Sequence, residues 1–289
     1  MLRPTVSAAR NLYRSNLRWA ENVDGVVTLN FFFFTCAPGI QAQMTIAKFQ
    51  NCGRRVPTDI QLYGVTPRDG KWHVYPAGAQ ENEHFWALTA TDENLHDVFF
   101  LATEAELEEH DLFADGLCSL NDVTDTAPDY RANLIVSNEK GGFSSYQSEF
   151  PSKMLGRRGD LLTPIYTLSN PQAARNIIFI RSVFDQPITE PYKAHVVDKA
   201  TARVEAEFDL ACNRTNVVEL PAALVRPGTY LYAKGFLGVP IYLSESADGH
   251  LSFEHTHPPH SSVGGPRKFA LVRDYKNAVA AAVEQREEA

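Results

Sequence analysis

Short runs rich in Val, Ile, Tyr and Phe recur about every ten residues along most of this chain, with Gly, Pro, Asn or Asp between them. Runs of that length suit a single strand and are too short for an amphipathic helix. The connections are also too short for the crossovers that join parallel strands. The rhythm therefore predicts an all-β fold, either an antiparallel β-sandwich or a distorted jelly-roll-like barrel. "IQLYGV" and "KWHVYP" flank the turn "PRDG", a hairpin signal, and "HFWALTA" and "DVFFLAT" follow. Ten further runs are "RANLIVS", "GFSSYQSEF", "LLTPIYTLS", "NIIFIRSVF", "PYKAHVVD", "ARVEAEFDL", "TNVVEL", "TYLYAKG", "VPIYLSES" and "GHLSFEHTH". Two stretches read differently. "ATEAELEEHDLFADG" predicts one short internal helix ending at Gly116, and "LVRDYKNAVAAAVEQREE" predicts a C-terminal helix.

The most apolar strand carries Val27, Leu29, Phe31 and Phe33 on one face, with Thr28 and Asn30 opposite. Phe32 and Phe34 make its far end apolar on both sides, so it is expected inside a sheet, as part of a hairpin from Leu17 through Phe34. The turn-rich "TDTAPDY", Thr124 to Tyr130, suggests a division into 1–124, a β-rich domain or half, and 125–289, a sandwich with the C-terminal helix. "KMLGRRGD", Lys153 to Asp160, is a second candidate break.

The 289 residues carry a formal net charge of −8, and no basic face is evident beyond the first turns. That argues against nucleic acid as a partner and gives little attraction to anionic lipid. "NFFFFT" is far shorter than a membrane helix needs. No secretory signal is visible, so a cytoplasmic location is the first expectation. Arg3, Arg10, Arg14 and Arg18 precede any acid, which gives a mitochondrial transit peptide as the alternative to a plain leader or first strand. Cys36, Cys52, Cys118 and Cys212 form no C-x-x-C pair and are expected to be reduced. Nothing in this composition opposes a homo-oligomer.

Two stretches carry chemistry. In "LSFEHTHPPH" alternation puts His255 and His257 on the face of Leu251 and Phe253, and His250, Ser252, Glu254 and Thr256 on the other. Two imidazoles one strand pitch apart suit chelation of one divalent cation, zinc or iron, with His260 returning across the two prolines as third ligand. His195 or Asp198 in "KAHVVD" is an alternative third donor, and Glu254 is the candidate catalytic carboxylate. Such a metal would polarise a substrate oxygen or lower the pKa of a bound water. The second stretch, Ser137 to Met154, sets hydroxyl and amide groups beside aromatic rings, as a glycan surface does. Ser144, Tyr146, Gln147 and Glu149 are its candidate ligand-binding residues, with an ordinary polar edge strand as the plainer interpretation.

Two functions follow as expectations. One is a metal-dependent enzyme of small-molecule or carbohydrate metabolism built on His255, His257 and His260. The other is a non-catalytic sandwich that binds a glycan or a protein partner through the 141–149 region.

Overall fold

A computed structural model describes residues 20–21, 27–28, 30–47, 60–82, 84–104, 132–148, 150–151, 159–255 and 266–287. Alternation of apolar and polar residues generates strands, and twenty of them lie among the described residues. A two-stranded ribbon pairs β1 (Ala20–Glu21) with β2 (Val27–Thr28). The first five-stranded sheet runs β11 (Phe143–Ser148), β10 (Ala132–Asn138), β4 (Ile40–Ala47), β8 (Phe85–Thr89), β7 (Gln80–Glu81). The second runs β12 (Phe150–Pro151), β3 (Asn30–Phe33), β9 (Val98–Thr103), β5 (Ile60–Arg68), β6 (Lys71–Pro76). Two four-stranded sheets follow: β13 (Leu161–Pro164), β18 (Thr229–Ala233), β15 (Pro191–Asp198), β16 (Arg203–Ala211); and β17 (Thr215–Leu220), β14 (Arg175–Arg181), β19 (Val239–Glu245), β20 (Leu251–His255). All pairings are antiparallel, so the expected all-β sandwich architecture is what forms. In the second half, β13 with β18, β14 with β17 and β15 with β16 are nested pairs, the winding of a rolled, jelly-roll-like ribbon.

The Phe run behaves as its pattern requires. Phe31, Phe32, Phe33 and Phe34 are all fully buried, and β3 has partners on both sides. The side chains of Val27 and Leu29 lie outside the described residues. The "PRDG" hairpin closes with Asp69 and Gly70 both at positive φ, 52° and 72°, the conformation of a type I′ turn. One strand escaped the sequence reading. β4 alternates Ile40, Ala42, Met44 and Ile46 inward with Gln41, Gln43 and Thr45 outward, and pairs with β10 and β8.

β14 is apolar on both sides because it lies between two cores. Ile178 and Ile180 join one core with Val196, Leu231 and Tyr242. Ile177 and Phe179 face the other way, into the core that holds the Phe run, together with Ile241, Leu243 and Phe253. The second half is thus continuous with the first through one face of its own central sheet. Thr215 strengthens the join, its hydroxyl donating to the Phe34 carbonyl at 2.8 Å.

The C-terminal helix α1 (Pro266–Glu287) begins five residues before the expected start, at a proline, which suits a first helical position. Val279, Ala282 and Val283 share one face of it and pack on Val197 and Tyr232. The expected internal helix starts inside strand, since Ala102 and Thr103 belong to β9, and its remainder from 105 lies outside the described residues. So do the N-terminal Arg-rich segment and the residues flanking the expected break at 124/125. Strands β10 to β12, over 132–151, pair within the first two sheets, and β13 opens the second pair. No described helix is long and apolar enough to cross a membrane.

Candidate ligand sites

The two stretches singled out from sequence meet. The β10–β11 turn docks on the β19–β20 turn: the Asn138 amide donates to the Gly249 carbonyl at 2.8 Å and to Glu245 at 2.9 Å, while its oxygen accepts from the Gly142 N–H at 2.9 Å. A Cβ on Gly142 would sit 1.8 Å from the Gly249 oxygen, so this approach requires glycine. At the other end of β11, buried Ser148 exchanges two hydrogen bonds with the Phe33 backbone, at 2.8 and 2.6 Å. Fixed at both ends, β11 lies beside β20, and the Tyr146 ring packs on the His255 ring with centroids 4.1 Å apart.

Alternation sets the remaining positions. Ser144 and Tyr146 are half-buried on the side of Ser148; Phe143, Ser145 and Gln147 are exposed on the other. On β20, His255 continues the Leu251–Phe253 face, while Ser252 and Glu254 are exposed opposite. Glu254 therefore does not share His255's side of the strand. Glu149, His257 and His260 lie outside the described residues. His195 is not brought to His255: its neighbours Ala194 and Val196 face the core toward β20's sheet, so His195 faces away, near Glu207. Asp198 is engaged by Arg226 at 2.8 Å. Among the described residues no three His, Cys, Asp or Glu side chains gather into a group that could hold a metal. Cys36 and Cys212 are free thiols, both pushed up in pKa first by burial, so neither is poised as a thiolate.

A second candidate site, a concave one, is absent from the sequence reading. A cleft of about 410 Å³ is lined by Thr66, Arg68, His73 and Tyr75 from the outer face of the β5–β6 hairpin, and by Thr91, Glu93, Asn94 and Asp97 from the connection before β9. The signal was present as polar residues alternating with buried Val65, Trp72 and Val74, which a fold reading takes simply as a solvated face. The connection is self-braced: the Asn94 side chain accepts from the Thr91 N–H at 2.8 Å and donates to the Thr89 carbonyl at 3.1 Å. At the cleft base the Tyr75 hydroxyl donates to the Asp97 carboxyl. The Tyr75 ring lies over Gly64, its cross-strand partner, where any Cβ would collide with it.

Behind Asp97 sits Arg181, fully buried, its Nη1 donating to the His96 carbonyl at 2.8 Å while Nε and Nη2 have no hydrogen-bond partner among the described residues. Burial, then Arg214 and Arg181, push the His96 imidazole down to about 4. Burial raises the Asp97 carboxyl against the opposing pull of Tyr75, Thr66 and the arginines. The unfolded chain protonates histidine near about 6.5. The His96 contribution to stability is thus complete above that value and is lost as pH falls toward about 4. Asp97 acts in the opposite sense, its contribution being lost as pH rises through its folded pKa. Subtracting the two urea-denaturation pH profiles isolates the histidine. His96→Asn is expected to lose less stability than the parent between pH 6.5 and 4; parallel profiles would refute this account.

Fold and sites together define an antiparallel β-sandwich protein whose described residues include an edge-strand surface and a polar cleft. Comparison with known protein families, with curated proteins and with solved structures finds no match.

Proposed function

We propose that the protein is a non-catalytic binding module for a glycan, with its ligand surface on the exposed face of β11. The observation that carries this reading is Phe143. Its side chain is 74% exposed, on one face of an edge strand, in line with Ser145 and Gln147. A flat apolar ring beside hydroxyl and amide groups matches the two kinds of surface a sugar presents, and such aromatic-plus-polar lining is common in ligand sites. Ser144 and Tyr146, on the opposite face, back the strand, with the Tyr146 ring braced on His255. Anchors at Asn138, Gly142 and Ser148 hold the strand ready, which reduces the ordering cost of binding.

A glycan array followed by calorimetric titration of the strongest hit tests the proposal. Phe143→Ala is expected to weaken that hit about tenfold or more, with folding stability changed by less than about 0.5 kcal/mol because the ring is exposed. An array without a binder, or equal affinity in the variant, refutes it.

The metal-dependent reading keeps one supporting observation: His255 stands half-buried at the end of the core-facing row of β20. It requires zinc or iron held by His255, His257 and His260, with Glu254 as catalytic carboxylate. Purified protein would then carry stoichiometric metal that His255→Ala removes. Metal content near zero in the parent would set this reading aside.

A further inference from the structure

The polar cleft has a charge arrangement of its own. The hairpin wall carries Arg68 and His73, diagonal neighbours on one face, since His73 pairs with Thr66 and Arg68 with Lys71. The opposite wall, from the 91–97 connection, carries Glu93 and Asp97. No hydrogen bond or salt bridge to another described residue occupies the side chains of Arg68, His73 or Glu93, though Arg68 lies close enough to Asp97 to favour its charged form. Asp97 is 4% exposed and accepts from Tyr75 and Thr66 at the base, with the buried Arg181 behind it, so the exposed Glu93 is the outer acceptor of this wall. Only glycine at position 64 leaves the Tyr75 ring its place at the base.

Opposite walls of opposite charge select against simple ions. A lone anion meets Glu93 and Asp97, and a lone cation meets Arg68 and His73. A molecule that carries a carboxylate and an ammonium a few ångströms apart satisfies both walls at once. A guanidinium binds a carboxylate through two parallel hydrogen bonds, and a carboxylate with a buried acceptor behind it suits an ammonium with its several donors. A cavity of about 410 Å³ lies in the range that encloses a small molecule. We propose that this cleft is a binding site for a small zwitterion of the free amino-acid class, its carboxylate on Arg68 and His73 and its ammonium on Glu93 and Asp97. The site is separate from the β11 surface, and its test is separate too.

The experiment is calorimetric titration of the full chain with each of the common free L-amino acids, then with the N-acetyl and methyl-ester forms of whichever binds most tightly. We expect at least one free amino acid to bind. Its N-acetyl form, lacking the ammonium, and its ester, lacking the carboxylate, should each bind at least about tenfold more weakly, the scale of one lost charge-assisted hydrogen bond. Arg68→Gln and Glu93→Gln should each weaken binding to a similar degree, without altering thermal stability, because both side chains are exposed. Phe143→Ala should leave amino-acid affinity unchanged, whatever it does to glycan binding. No binding by any free amino acid at about 10 mM overturns the proposal. So does equal affinity for the derivatives, or full affinity in both charge variants.

Discussion

Replacing Trp72 by alanine is expected to cost about 3–5 kcal/mol, the largest effect of any single truncation considered for this protein. Trp72 is fully buried in the core that contains the Phe run. Its indole N–H donates to the Asp185 carbonyl at 2.9 Å, which ties the β5–β6 hairpin to the segment that follows β14. Alanine removes both the packing and the donor. Phenylalanine keeps most of the apolar ring and loses only the donor, so Trp72→Phe should cost about 1–2 kcal/mol. For a protein of this size each kcal/mol moves the melting temperature by roughly 2–4 °C, so the alanine variant should melt on the order of 10 °C lower. Urea midpoints for the two variants separate the contributions. A cost below about 1 kcal/mol for alanine would mean that the hairpin does not pack as described.

Gly142→Val should cost about 3 kcal/mol and also weaken any ligand held by β11. The Cβ would be forced to within 1.8 Å of the Gly249 carbonyl oxygen, a backbone atom that cannot rotate away. The two turns must then part, which breaks the Asn138 bonds to Gly249 and Glu245. β11 loses its anchor at that end, and Tyr146 loses its fixed relation to His255. A matched control is Gly141→Ala. Gly141 has nothing within 4 Å of its Cβ position, and only its positive φ of 81° opposes a side chain. That strain costs about 1–2 kcal/mol. Thermal melts of the pair should therefore rank valine at 142 as the more damaging. If the two variants melt together, the docking of the turns contributes little.

The strand order along the chain was legible because alternation is a local property. Val74 and Trp72 face in, and His73 and Tyr75 face out, whatever else the chain does. Turn chemistry was legible for the same reason at Asp69 and Gly70, whose positive φ the sequence "PRDG" foreshadows. β4 obeyed the alternation rule yet escaped, because Gln41, Ala42, Gln43 and Ala47 are weak strand formers by composition. Its pairing with β10 and β8 overrides that weakness. The side of β20 on which His255 stands also followed from alternation alone.

What alternation does not encode is which distant segments touch. Asn138 and Gly249 are 111 residues apart, and only sheet pairing and a shared core bring their turns together. The same holds for the cleft, whose walls come from β5–β6 and the connection before β9. Arg181 shows the limit most sharply. In the sequence it closes the apolar run "NIIFIR", and nothing local marks it as buried. In the structure it is fully buried behind Asp97, because one face of β14 packs against the first half of the chain. A residue's own neighbours set its secondary structure and its side of the strand. The long-range closure of sheets, decided by the total apolar area they bury, sets what that side meets.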